Sequence, residues 1–219
     1  MKIICIGHSG FLVQTEGYNL IFDYYTDKAG VVTPDIFKGR KTCVFVSHAH
    51  GDHYNEGIYE WVAYGDVSYV LDVACHVPES AMKALDGKSG GASACGIYKL
   101  NEGETFTLPH MNLVVSTFGS TDEGLSYLVR TGGPTLFHSG DLNNWYWADE
   151  ETPEELDVSE GEFLRIIKRL PVNEIDIAFV PEDPRLGKHA GRAVKQFMDV
   201  VKPGRIIPMH FPGNDGAVV

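Results

Sequence analysis

Positive charge is scarce in this 219-residue chain: 18 Lys and Arg stand against 30 Asp and Glu, for a net charge of −12. A general nucleic-acid binder needs a basic face to neutralise phosphates, so no nucleic-acid partner is expected. An anionic small substrate is not excluded, because bound divalent cations would reverse the local sign. No apolar run approaches the roughly 20 residues that cross a bilayer, so no membrane partner is expected either. The opening Met1-Lys2-Ile3-Ile4-Cys5-Ile6-Gly7 is interrupted too soon to be a signal peptide, and the expected location is the cytoplasm. Cys5, Cys43, Cys75 and Cys95 never stand as Cys-x-x-Cys, and Cys5 and Cys43 lie inside apolar runs, so all four read as reduced thiols. No repeat, no low-complexity segment and no Ser-His-Asp arrangement stands out. Hydrophobic content of 43% and charged content of 22% are ordinary for a globular protein. The length suits one domain, residues 1–219, with a core of good size.

What the chain does have is a dense ligand cluster: His48, His50, Asp52 and His53, in the run Ser47-His48-Ala49-His50-Gly51-Asp52-His53. Neutral imidazole suits Zn and Fe, and a carboxylate adds charge and hard-ligand character. His48 and His50 are two apart and project to the same side of an extended backbone, whereas Asp52 and His53 are adjacent and diverge. One pair can serve one metal and the other pair a second. Cys43-Val44-Phe45-Val46 before the cluster reads as a buried strand. Tyr54 to Tyr64 after it has helix-like apolar spacing. The ligands therefore lie in a strand-to-helix loop at the carboxyl end of a strand, where open α/β sheets usually put their sites. Two later apolar strands also lead into ligand-type residues: Thr135-Leu136-Phe137 into Asp141, and Ile206-Ile207 into His210.

The run resembles the His-x-His-x-Asp-His motif of the metallo-β-lactamase fold superfamily of metal-dependent hydrolases. The opening Ile6-Gly7-His8-Ser9-Gly10-Phe11-Leu12-Val13 is similar to the start of its branch of ascorbate-phosphate-lactonase-like and other small hydrolases. The resemblance implies an α/β fold: a four-layer αββα sandwich, with two mixed sheets face to face, helices outside both, and metals at one edge. It also implies the ligand set His48, His50, Asp52, His53, Asp141 and His210, with Asp141 as the bridging carboxylate. Asp23, after Leu20-Ile21-Phe22, matches an acid that orients a ligating His. The chain departs from the pattern at Gly119-Ser120-Thr121-Asp122-Glu123-Gly124, where the family offers a third His to the first metal. Asp122 could substitute there, directly or through a water, or be a turn residue. His8 could face the site or be a packed strand-end His. His138 is expected to be structural or to touch substrate, and His76, His110 and His189 to be ordinary.

Strands are expected at Ile3–Ile6, Phe11–Thr15, Asn19–Phe22, Val67–Leu71, Ile97–Leu100, Thr105–Leu108, Leu113–Thr117, Leu125–Val129, Thr135–Phe137 and Ile175–Val180. Glu16-Gly17 reads as a hairpin turn and Gly87 to Gly91 as a Gly/Ser-rich turn. Phe163–Leu170 and Ala190–Val201 read as amphipathic helices. The acidic stretch from Ala148 to Glu162 reads as a solvated loop running into a helix.

The activity implied is hydrolysis of an ester-like bond, a phosphodiester, lactone or related link, by a metal-bound hydroxide. Asp52 would ligate one ion and also orient or accept a proton from the water. The cofactor is one or two divalent ions, with Zn the first choice and Mn or Fe also suitable. The substrate would be a small molecule, an anionic one being compatible, and a homo-oligomer is compatible too. Trp145, with Tyr146 and Trp147, could wall a substrate pocket or simply pack a loop. Arg185 and Lys188 could bind a phosphate or carboxylate or be surface charge. Two other classes remain: a di-iron redox protein using the same His/Asp cage, and a degenerate metal- or ligand-binding member without hydrolase activity. At this length, the extra domain that nuclease members of the superfamily insert is not expected.

Overall fold

A computed structural model describes residues 1–86, 95–213 and 215–219. The chain divides into two compact units, Met1–Asn101 with Leu108–Asn112 and Pro212–Val219, and Glu102–Thr107 with Leu113–Phe211. The turn expected at Gly87 to Gly91 lies outside the described residues.

The first unit is built on strands β1 (Lys2–Gly7), β2 (Gly10–Gln14), β3 (Tyr18–Phe22), β4 (Lys41–Val46), β5 (Val67–Asp72) and β6 (Ile97–Leu100), which form one sheet in chain order. Short turns make β1, β2 and β3 antiparallel, whereas β3 to β6 run parallel and need crossovers. Those crossovers are a 3-10 turn at Pro34–Phe37, a 3-10 helix at Glu56–Ala63 and helix α1 (Glu79–Asp86). Cys43 through Val46 are wholly buried, as a continuous apolar run in a parallel strand should be. Since Gly7 faces Gly10, Phe11 faces Phe22 and Phe22 faces Phe45, the β1–β2 turn and the carboxyl ends of β3 and β4 share one edge of the sheet.

The helix expected from Tyr54 to Tyr64 is 3-10 rather than α. Ile58, Tyr59, Trp61 and Val62 are all buried, more of the circumference than one α-helical stripe supplies, and the tighter i to i+3 bonds accommodate this. The C-terminal segment returns to β1, where Val218 bridges Ile4 and the backbone of Cys5 bonds those of Gly216 and Ala217, covering that strand's outer edge. None of the four cysteines is in a disulfide. Burial, with Asp72 and Asp23 nearby, pushes the Cys75 thiol up to about 12, and burial also raises Cys43.

The second unit is built on β7 (Thr105–Leu108), β8 (Leu113–Phe118), β9 (Ser126–Arg130), β10 (Thr135–His138), β11 (Ile177–Pro181) and β12 (Arg205–Met209), again one sheet in neighbour order. The strands β10, β11 and β12 are parallel, so their carboxyl ends coincide. Helices α2 (Pro153–Ile167) and α3 (Arg192–Val200) bury Phe163, Ile166, Ile167, Ala193 and Phe197 with Phe137, Ala178 and Val180 of the strands. Helix α2 starts ten residues before the expected Phe163. Thr152 and Glu155 form a reciprocal capping box with Pro153 behind the cap, so Asp149 to Glu151 precede the helix as expected, whereas Glu154, Glu155, Asp157, Glu160 and Glu162 lie on it. Acidic side chains there suit the positive end of the helix dipole. No helix among the described residues is long and apolar enough to cross a membrane.

Candidate metal-binding residues

In the first unit the donors gather at the sheet edge where β3 and β4 end. Asp23 follows β3 with a left-handed backbone (φ 42°) and is buried. Its carboxylate accepts from the Ser47 N–H at 2.8 Å and the Ser47 hydroxyl at 2.7 Å, and its Oδ2 lies 2.8 Å from His53 Nδ1. That contact places the Nδ1 proton toward the acid and leaves Nε2 as the ligating nitrogen. Ser47 Oγ also lies 2.9 Å from His48 Nδ1, so one serine ties the acid to a second imidazole. His48 Nε2 and His50 Nδ1 are 3.0 Å apart, and the His48 and His53 ring centroids are 4.2 Å apart. His48 and His53 are buried, whereas His50 and Asp52 are exposed. The turn is tight because the backbone N–H groups of His53 and Tyr54 both donate to the His50 carbonyl, each at 3.0 Å.

His8 joins this group from the β1–β2 turn. Its Nε2 is 3.5 Å from Asp52 Oδ2, and its ring stands edge-on to that of His53 with centroids 5.6 Å apart. Tyr25 is edge-on to His8 at 6.1 Å. Burial, then Asp215 and Asp52, push its phenol above the usual range and keep it a hydrogen-bond donor.

In the second unit the corresponding edge carries Asp141, after β10, and His210, after β12. His210 Nε2 is 3.1 Å from Asp141 Oδ1, and both residues are buried. His210 Nδ1 lies 2.9 Å from Asp183 Oδ2. Asp183 thus stands to His210 as Asp23 stands to His53. Burial pushes the Asp183 carboxyl up, but the Arg185 side chain and backbone N–H, together with His210, outweigh it and hold the carboxyl below the usual range. Asp122 is exposed, its backbone N–H donates to Ser120 Oγ at 3.2 Å, and a carboxylate oxygen lies within 4.8 Å of one from Asp141. His138 is buried and accepts the Gly140 N–H at Nδ1 (3.2 Å), shaping the turn that leads to Asp141.

Trp145 donates through Nε1 to the Asp141 carbonyl at 3.2 Å, and its ring lies 5.6 Å from that of His210. Arg185 lies over both Trp145 and Trp147, at 5.8 and 5.7 Å from their centroids, while its Nε bonds Asp183 at 2.8 Å. With Thr121 and Asp122, these three line a cavity of about 330 Å³ within the second unit. Of the histidines expected to be ordinary, His76 pairs with Glu56 at the surface, His110 contacts Ser68, and His189 packs on Tyr146.

The donor chemistry in each unit fits a divalent cation. Imidazoles held at Nδ1 by buried carboxylates, with acidic oxygens beside them, are what such ions require. Backbone strain collects here too. His8, Asp23 and His210 are non-glycine residues at φ 52°, 42° and 68°, conformations costing about 1–2 kcal/mol each. Sequence reasoning missed the role of Asp183, although the available signal was the one that exposed Asp23: an acid directly beyond a buried apolar strand. It also missed Ser47 as the link between Asp23 and His48.

Residues 2–158 match the sequence model of the beta-lactamase superfamily domain. A UPF0173 metal-dependent hydrolase of Carboxydothermus hydrogenoformans is 26% identical, the match covering 96% of this chain and 84% of that one. Among solved structures, Igni18, a metallo hydrolase from Ignicoccus hospitalis, superposes with a TM-score of 0.62 at 18% identity, over 96% of this chain and 82% of that one. CmlA, a diiron beta-hydroxylase from Streptomyces venezuelae, superposes with a TM-score of 0.59 at 10% identity, over 96% of this chain and 44% of that one. The α/β fold of the metallo-β-lactamase type, expected from the sequence, is therefore the fold of this chain.

Proposed function

This chain belongs to the beta-lactamase superfamily, and on that premise we propose that it is a metal-dependent hydrolase that cleaves an ester-like bond, a phosphodiester, lactone or related link, in a small molecule. The observation that carries the reading is the pair of buried carboxylate–imidazole contacts, Asp23 to His53 at 2.8 Å and Asp183 to His210 at 2.9 Å. A histidine fixed in this way has one tautomer and one ligating nitrogen, an arrangement that a merely packed imidazole does not need. Relatives named as metal-dependent hydrolases support it.

The donors assigned to metal are His48, His50, Asp52 and His53 in the first unit and Asp141 and His210 in the second, with Asp122 as a supplementary donor. One or two divalent ions, Zn first and Mn or Fe next, would supply Lewis acidity and an activated water. The protein's own part is positional. Ser47 and Asp23 hold His48 and His53, and Asp183 holds His210. The Asp52 carboxylate, with its side chain 52% exposed, can accept a proton and pass it to solvent. Trp145 and Arg185 are proposed as substrate contacts. The Arg185 side chain is 62% exposed and carries its charge over Trp145 and Trp147, whose faces supply apolar surface.

The test is a panel of phosphodiesters, phosphomonoesters, lactones and thioesters with metal-loaded protein. His50→Ala and Asp141→Ala should each abolish metal-dependent turnover while leaving the fold intact by circular dichroism. Turnover retained in either variant overturns the ligand assignment. A wild type inert across the panel favours the binding-protein reading, and visible absorption from oxo-bridged iron in fresh protein favours the redox one.

A further inference from the structure

We infer that His8 is itself a metal ligand, completing with Asp52 and His53 a three-donor set for a divalent cation within the first unit; the inference rests on the metal-dependent reading above.

His8 Nε2 and Asp52 Oδ2 are 3.5 Å apart. Charge-assisted N–H···O hydrogen bonds close to about 2.7–2.9 Å, so this separation is too long for one. Two donors sharing an ion at about 2.1 Å in tetrahedral geometry stand about 3.4 Å apart. One ligating atom from each of His8, Asp52 and His53 lies within 4.8 Å of the others, close enough for a small inward movement to enclose an ion. Two imidazoles and one carboxylate also form a donor set in which an ion keeps an open coordination position.

The construction of the turn points the same way. His8 lies between Gly7 and Gly10, which face each other across the β1–β2 hairpin. A Cβ at Gly10 would stand 3.0 Å from the Gly7 carbonyl and 3.1 Å from the Asp23 carbonyl, so the turn is pressed against the backbone of the very residue that orients His53. His8 adopts φ 52°, a conformation that a β-hairpin would ordinarily give to glycine or asparagine. Strain of this kind persists where the side chain has a task. The outcome is an imidazole 19% exposed, edge-on to His53 and within reach of Asp52. An ordinary packed histidine at a strand end needs neither the left-handed backbone nor that neighbourhood.

The experiment is a cobalt(II) titration of chelator-stripped full-length protein, followed by calorimetry and visible absorption, for wild type, His8→Gly, His8→Asn and His53→Ala. Glycine and asparagine both suit a positive φ, so neither substitution should disturb the turn. Expected is a loss of affinity for one ion of at least about tenfold in both His8 variants, with an altered cobalt d–d spectrum. His53→Ala should affect the same ion, and the two losses should be non-additive in the double variant. Stoichiometry, affinity and spectrum unchanged in His8→Gly and His8→Asn would overturn the inference while leaving the hydrolase reading in place. A wild type that binds no cobalt at all would overturn both.

Discussion

Asp23 spends its carboxylate on three partners at once: the Ser47 backbone, the Ser47 hydroxyl and the His53 ring. An asparagine has the same shape and tolerates the same left-handed backbone, but it offers one acceptor oxygen and no charge. Asp23→Asn should therefore weaken metal binding by about 10–100-fold and destabilise the fold by about 1–3 kcal/mol through an unsatisfied buried group. Metal titration and urea denaturation measure the two effects separately, and unchanged metal affinity would remove Asp23 from the site. The acid itself was legible, because it stands directly beyond an apolar strand and matches a family position. Asp183 stands just beyond the apolar strand β11 in the same way, yet the sequence pattern does not single it out. Its partner His210 is 27 residues away, and nothing in the intervening sequence announces that the two meet. Likewise the sequence leaves two readings open for His8, because its approach to Asp52 depends on how the β1–β2 turn lies over the end of β3.

At the scale of elements, strands were easier to read than helix ends. The apolar runs behind most strands are short, bounded by turn residues and buried, so composition and position agree, while β6, β7 and β12 are only partly buried. The start of helix α2 is hard to read, because Leu156 stands alone among acidic and polar neighbours before Phe163, although Thr152-Pro153-Glu154-Glu155 spells a capping box. Thr152→Ala should cost about 1 kcal/mol, read from the urea midpoint at neutral pH. Its pH dependence has a definite sign. Hydrogen bonds from the Thr152 backbone and hydroxyl hold the Glu155 carboxyl below its ordinary value of 4.5. A depressed folded value means that the contribution is fully present above 4.5 and disappears as pH falls through the lowered one. The gap between wild type and Thr152→Ala should accordingly narrow in acid, and a gap that widened there would contradict the cap. The segment after the His/Asp cluster differs from its expected form in the opposite way. Its apolar spacing was right, but burial of four residues out of five from Ile58 to Val62 selects the 3-10 form.

At the scale of the molecule, two units each close their own apolar cluster around their own sheet, and each presents its donors at the carboxyl ends of parallel strands. A bound ion that recognises only the folded donors adds stability by mass action, about 2.7 kcal/mol at a hundredfold excess over Kd. Chelation should therefore lower Tm, and re-addition of the divalent ion should restore it in a concentration-dependent way. A Tm indifferent to chelator, in protein shown to contain metal beforehand, would mean that the ions do not bind the folded donors preferentially. The net charge of −12 belongs to this scale as well. Carboxylates that converge on a site repel one another until a cation arrives, so metal-free protein should be the less stable form.

By itself the sequence determined the chemical class of the site and the fold class. A His/Asp cluster of that density has few other uses, and apolar runs of strand length with crossovers between them allow few architectures. Tertiary structure alone decided which acid holds which imidazole, and it brought His8 to Asp52 across 44 residues. Tautomer and ligand distance depend on strand register, the lie of a two-glycine turn and the left-handed backbone at His8, Asp23 and His210, and these arise only when segments distant in the chain pack together.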